Sequence, residues 1–488
     1  MDVIDLLEYD IDSVTSGNAT YTYYQDYWQY LFESYMGGEE YRSAGHLVRY
    51  QNESPQEYAA RLRNTPLQNH CASVIQVYNG FLFRLPPHRN FGSMEDAPQL
   101  EQFLKDADRD GRSFNAFMKD VATYSSIFGH SWVIVSKPFL GQNTRGEEME
   151  MGVRPYVSLI SPLMVLDWSW QRSPNGEYTL DRFKYIEDIN GSIKTVKEWT
   201  TTEIKTMVVD SEDAAVKSVD IEPNNLGVIP CVIAYNKRSI VRGIGISDIA
   251  DIADAQKFIY NATSEIDQSI RLDSHPSLVK TPDTNAGVGA GAIIHMPDNL
   301  DPGLKPYVLD TQGASVDKIL ATIRDTVESI DKMANTGAVR ATESRVLSGV
   351  AMETEFSLLN ARLSEKGDNL ELCEEQIWQL WGLYMGYTWD GVIYYPDSFN
   401  LRDTKSDLEM YMRAQAAPNT SPTYRRALER QIAEVVIVDD DDLAAIREEI
   451  NSDDFEPHVM IAPNTGERVI AQTVEEHLAL AAQGYTHE

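Results

Sequence analysis

The chain has 488 residues, of which 75 are acidic and 42 basic, so its formal charge is −33. With 42% apolar and 10% aromatic residues it can bury a sizeable core, which excludes an acidic disordered chain. The same charge excludes a protein that grips nucleic acid over its whole surface, because phosphate neutralisation needs clustered Lys and Arg. It leaves open one that lets DNA pass without sticking.

No stretch approaches the ~18 apolar residues that span a bilayer, so no membrane partner is expected. The acidic start, Met1 to Asp5, does not read as a signal peptide. Cys71, Cys231 and Cys373 form no CxxC pair, which fits a reduced intracellular setting without a zinc site or disulfide framework.

Residues 18–36 are crowded with aromatics, among them Tyr21, Tyr23, Tyr24, Tyr27, Trp28 and Tyr30. They read as a helix packing its rings onto a domain, or as a surface held for another subunit. Ser54-Pro55-Gln56-Glu57 is a helix start, and the pattern predicts a helix running through Leu62 to about Tyr78. A second helix over Phe114–Phe128 ends at Gly129 and feeds a strand at Trp132–Val135. Residues 150–236 turn to short apolar runs and period-two alternation, with hairpin signals at Asn175-Gly176 and Asn190-Gly191.

From Ser247 to Leu272 the apolar spacing predicts a helix of ~39 Å. Residues 276–314 carry five prolines and short strands, and a second helix of ~30 Å follows from Ser315 to Asn335. Two helices of similar length bracketing a compact insert most simply run antiparallel and carry it on a stalk. A polar loop, 336–349, leads into a very long helix to about Tyr384, with Gly367 as a kink candidate. A strand returns at Gly391–Pro396, and helices resume at Asp403–Ala416 and Ser421–Ala433. The last 55 residues hold 14 acidic and two basic side chains. They read as a solvated, partly disordered tail or a docking surface for a basic partner.

Chemical motifs are few. Asp106-Ala-Asp108-Arg-Asp110-Gly111 copies half an EF-hand loop, but Phe117 stands where the bidentate Glu belongs, so an acidic turn capping the next helix is expected. Gly287-Val-Gly289-Ala-Gly291 runs on into a strand and reads as a flexible turn, not a dinucleotide site. His70 and Cys71 are neighbours in a predicted helix, ~100° apart, and are read as structural. No catalytic residue, metal ligand or cofactor site is assigned.

The order of elements over roughly 50–435 resembles that of the portal proteins of tailed double-stranded DNA bacteriophages. Tyr58-Ala-Ala-Arg61-Leu62…Asn69…Tyr78-Asn-Gly80-Phe-Leu-Phe-Arg-Leu-Pro86-Pro87 is similar to the family's N-terminal helix and its exit. Asp110-Gly111-Arg-Ser-Phe…Phe128-Gly129-His-Ser-Trp132-Val133 is similar to the passage into the wing, and Gly243-Ile-Gly245-Ile-Ser247-Asp248-Ile249 to the start of the first stem helix. The fold class implied is α/β mixed (α+β), with a wing, helical stem, β-rich clip, tunnel loop on a long helix, and helical crown. The implied divisions are 1–242 for the N-terminal region and wing, 243–275 for the first stem helix, 276–314 for the clip and 315–335 for the second stem helix. Beyond these come the tunnel loop (336–349), the long helix and wing return strand (350–401), the crown (402–450) and an acidic C-terminal tail (451–488).

The resemblance implies a non-enzymatic head-to-tail connector, a homo-oligomeric ring of twelve at one capsid vertex of the virion, assembled in the host cytoplasm. Its implied partners are double-stranded DNA passing through the channel, terminase, head-completion or adaptor proteins and the major capsid protein. Arg340 and Arg345 become candidates for steering DNA from the tunnel loop, with solvated arginines or subunit salt bridges as the plainer alternative. Gly337 and Gly349 are hinge candidates, and Lys280 and Lys305 are candidates for clip contacts. The rival readings are another virion component, an acidic intracellular hydrolase with an unrecognised carboxylate site, and an acidic DNA mimic.

Overall fold

The Ser54 side chain accepts from the Glu57 amide at 3.2 Å, and the Glu57 carboxylate accepts from the Ser54 amide at 2.9 Å, closing the box that opens the helix Pro55–Asn64. The structure is a computed structural model that describes residues 10–138, 145–274, 278–281, 295, 299, 301–308, 314–340, 349–396, 399, 411, 413–414, 422–436, 446, 458–461, 468–471 and 486–487. It divides into two compact units, Met1–Phe399 and Asn400–Glu488.

The first unit opens with α1 (Ile11–Thr15), α2 (Ala19–Met36), α3 (Gly38–Ser43), α4 (Pro55–Asn64) and α5 (His70–Leu82). In α2 the inner face (Tyr21, Trp28, Leu31) is buried, while Tyr23 is 80% exposed. Packing therefore accounts for most of the aromatic crowding, since Tyr24, Tyr30, Phe32 and Tyr35 also lie against the core and only Tyr23 and Tyr27 stay exposed. The single helix expected to reach Tyr78 is two, because Pro66 disfavours helical backbone at Thr65 and Asn69 starts afresh by accepting from the Ala72 amide.

Next come β1 (His88–Asn90), α6 (Leu100–Lys105), α7 (Phe114–Phe128), β2 (His130–Ser136), α8 (Arg145–Glu150) and β3 (Tyr156–Ile160). Ser113, and not the acidic turn, caps α7. The turn's carboxylates are occupied elsewhere: Asp106 accepts from the Gly111 amide and pairs with Arg154, and Asp108 pairs with Arg112. The meander β4 (Val165–Arg172), β5 (Tyr178–Asn190), β6 (Ile193–Thr200), β7 (Glu203–Asp210) and β8 (Ala215–Pro223) turns at both Asn-Gly pairs. Its β4 side is closed by the Asn18 amide donating to Leu166 O at 2.7 Å. Its last strand, β8, carries exposed Lys217, Asp220, Glu222 and Pro223. β9 (Cys231–Tyr235) returns to pair with β2, giving the antiparallel order β3-β2-β9 around a β2 buried from His130 to Val135.

α9 (Ala250–Ser274), the two-residue strands β10 (Leu278–Val279) and β11 (Tyr307–Val308), and α10 (Ala314–Ala334) follow. β10 and β11 pair antiparallel, Leu278 with Val308 and Val279 with Tyr307, closing the base of the insert where the two helices end. After α11 (Gly337–Arg340), α12 (Gly349–Met385) runs 37 residues, ~55 Å, uninterrupted through Gly367. An added Cβ on Gly367 would sit 3.4 Å from Tyr395 Cβ, an ordinary contact. β12 (Val392–Tyr394) pairs with β1. Trp378 of α12 centres the core, its ring 4.9 Å from both Phe91 and Phe114 and 5.3 Å from Phe103.

In the second unit, the described residues form α13 (Pro422–Val436) and the strands β13 (His458–Ile461), β14 (Arg468–Ala471) and β15 (Thr486–His487), in the antiparallel order β14-β13-β15. The acidic C-terminal stretch therefore carries a sheet where a solvated tail is one of the two expectations. The helix expected at Asp403–Ala416 and the glycine turn at Gly287–Gly291 lie outside the described residues, apart from Tyr411, Arg413 and Ala414, which are helical. No helix among the described residues is long and apolar enough to cross a membrane.

Candidate functional site

The segment from α10 to α12 holds the loop candidates, and its two ends are fixed by buried polar groups. The α10 helix stops where Asn335 takes a left-handed φ of 55° and the Ala334 carbonyl accepts from Tyr78 Oη of α5 at 2.6 Å. Arg340, on α11, is mostly buried. Its Nη1 pairs with Asp331 Oδ1 at 2.8 Å, and its Nη2 lies 2.9 Å from His70 Nδ1. Burial first, and the Arg340 charge second, push His70 down to about 4, so its imidazole is neutral and Nδ1 can accept. Arg340 thus ties the end of α10 to the start of α5 within one chain. Cys71, beside His70, is buried, and burial pushes its thiol up, away from the reactive range.

Arg345 and most of the loop, 341–348, lie outside the described residues. Gly337 is the first residue of α11, where an added Cβ would meet Glu355 Oε2 at 3.0 Å, and Gly349 is the first residue of α12. Lys280 and Lys305 are exposed, Lys280 directly after β10 and Lys305 two residues before β11.

The far post is an ionic cluster that sequence reasoning missed. Asp248, on the lead-in to α9, has a side chain 1% exposed and faces two cations of α12, with Arg362 Nη2 at 2.6 Å and Lys366 Nζ at 2.5 Å. Asn236, just after β9, donates to Asp248 Oδ1 at 2.9 Å and accepts from Lys366, which also donates to Ser126 Oγ of α7 at 2.9 Å. Burial acts to raise the Asp248 carboxyl, but the Lys366 and Arg362 charges outweigh it and hold it below the usual range. One carboxylate therefore joins α7, β9, α9 and α12. The signal was present: Arg362 and Lys366 sit one turn apart beside the apolar stripe Leu359, Leu363, Leu370.

A second buried carboxylate, Glu374, holds the other half of α12. It pairs with Arg89 of β1 and accepts from Tyr395 Oη at 2.9 Å and Trp378 Nε1 at 3.2 Å. Closer to the sheet, the backbones of Gly129 and Gly245 touch, and a Cβ on Gly245 would lie 1.8 Å from Gly129 O. Beside them Gly245 N–H donates to His130 Nδ1 at 3.3 Å, which leaves Nε2–H for Tyr21 Oη at 2.6 Å. Tyr21 also accepts from Trp132 Nε1 at 2.8 Å and donates to Gly243 O at 3.1 Å. Every polar atom of this knot is satisfied, and burial pushes His130 down to about 3. These groups act as ties between elements. Among the described residues no group of three or more His, Cys, Asp or Glu is placed to hold a metal ion.

No protein family and no curated protein matches the sequence. Solved structures with a similar course of chain exist. A chain of the virion of a native gene transfer agent particle aligns at 10% identity and TM-score 0.43, covering 79% of this chain and 97% of that one. A chain from the neck of the empty particle, computed with C6 symmetry, gives 10% and 0.45 over 77% and 94%. One from the neck of the native particle, computed with C12 symmetry, gives 10% and 0.40 over 80% and 98%.

Proposed function

We propose that the chain is a portal protein, a non-enzymatic component of a phage-like particle that assembles as a ring around a DNA channel. The observation that carries the reading is the sequence of elements α9, insert, α10, loop, α12. The two helices close on each other through the β10–β11 pair, and the described elements on either side of 341–348 are tied by Arg340 on α11 and, along α12, by the Asp248 cluster. In this reading α9 and α10 form the stem, the insert is the clip that meets terminase and head-completion proteins, and the loop faces DNA. Arg345 and the hinge glycines Gly337 and Gly349 act in that loop, Lys280 and Lys305 act at the clip, and the second unit builds the crown. The ring sits at a capsid vertex after assembly in the host cell.

Twelve chains of 55.0 kDa make a ring of about 660 kDa. Native mass spectrometry of the purified chain, with negative-stain images of the same peak, should show that species or a ring one or two subunits away, with a central channel. A 55 kDa monomer that turns over a small substrate would replace this reading with the hydrolase.

A further inference from the structure

Between the tied residues Asn236 and Gly243, the turn 237–242 that links β9 to α9 projects from the core. From Asn224 to Ser247 the sequence contains no acidic residue, although the chain as a whole carries −33, and it places Lys237, Arg238 and Arg242 around Ile240 and Val241. Ile240 is 103% exposed, as open as a side chain can be. The turn that presents it is rigid. Arg238 and Gly245 form a bridge, Ser239 N donates to Ile244 O at 3.3 Å, Ile246 N donates to Lys237 O at 2.8 Å, and Gly243 N donates to Tyr235 Oη at 3.0 Å. Arg242 stacks 3.8 Å from the Tyr178 ring centroid, and Arg238 lies 5.1 Å from that of Tyr235. An apolar tip held out on a braced, cationic finger loses little entropy on binding.

A matching surface exists on the same chain. The outer face of α2 presents Tyr23, Asp26 and Tyr27, and α9 beside it presents Asp251, Asp254 and Phe258, all exposed. The two helices are joined there by Tyr30 Oη donating to Asp254 Oδ1 at 3.0 Å and by Lys257 Nζ, 5.5 Å from the Tyr30 ring. This face offers uncovered rings for an apolar tip and three carboxylates for three cations.

Resting on the ring reading above, we infer that the finger Lys237–Arg242 of one chain docks on the Tyr23–Tyr27–Asp251–Phe258 face of a second copy. The occupant is this chain because charge and apolar character are complementary on both sides of the contact. A surface that binds a different surface of the next copy propagates head to tail, and it closes into a ring when the rotation from copy to copy divides a full turn.

The test uses two charge-reversed full-length chains, each measured by mass photometry and far-UV circular dichroism. One carries K237E and R238E, the other D26K and D251K; Asp254 and Arg242 are kept because they bond within the chain. Each variant alone should keep its helical signal and associate about tenfold or more weakly than the unaltered chain. Mixed in equal amounts they should form rings, since each finger then meets a face of opposite charge. I240D should fail alone and in every mixture. Rings that persist in both single variants, or no recovery on mixing two folded variants, overturn the docking and leave the ring reading standing. An unaltered chain that forms no ring overturns both.

Discussion

His130 is neutral in the folded chain because burial removes the water that would stabilise its cation, and Nδ1 and Nε2 already have partners. In the unfolded chain the same ring takes a proton near pH 6.5. Below that value the unfolded state binds a proton that the folded state refuses until about pH 3. Stability contributed by this site is therefore whole above pH 6.5 and drains away as pH falls toward 3. Between pH 8 and pH 5 the loss should be about 2 kcal/mol. Urea midpoints of the unaltered chain and of His130→Gln, taken at both values, check this, and an equal pH dependence in the two would count against it. His70, pushed down to about 4, acts in the same sense. At this scale the sequence revealed residue types but not partners. Nothing in the string His130-Ser-Trp132 announces that Tyr21, more than a hundred residues earlier, supplies the oxygen both rings need.

Among the elements, the helices with strong spacing and punctuation were readable. The first long helix was expected over 247–272 and runs 250–274; the second was expected over 315–335 and runs 314–334. Both hairpin turns at Asn-Gly pairs stand where turn chemistry put them. The errors have local causes. Pro66 splits one expected helix into α4 and α5, and Ser113 caps α7 where the acidic turn was expected to. The ties between elements were not readable, because a carboxylate's partners are fixed by the packing of distant segments. Asp248 is the clearest case. Asp248→Asn leaves Arg362 and Lys366 buried without a counter-charge and should cost about 3–5 kcal/mol. Asp248→Leu combined with Arg362→Met and Lys366→Met should restore much of that stability, since a well-packed apolar replacement avoids the desolvation of all three ions. Denaturant melts of the two chains decide the matter: a triple variant as unstable as Asp248→Asn would mean that shape, and not charge, holds α9 to α12.

The whole molecule is governed by its charge. A ring of twelve would carry 12 × −33, or about −396 formally, so its field repels a duplex over most of the wall. Assembled protein should therefore leave the mobility of linear double-stranded DNA unchanged at about 0.15 M salt, where the Debye length is about 8 Å. Tight retention there would contradict a wall built for passage. The same repulsion acts between chains, so any association must be carried by local complementarity strong enough to overcome it.

The exposed strand β8 bears on what such crowding permits. A strand at the end of a five-stranded meander offers unpaired amides and carbonyls to whatever lies beside it, and identical chains held shoulder to shoulder would present such edges at high local concentration. Lys217, Asp220 and Glu222 put charge along β8, and Pro223 removes an amide at its end. An incoming strand would have to bury those charges and forgo that bond. The edge is thus guarded against continuous cross-chain sheets, the route by which crowded β-proteins turn into insoluble fibres.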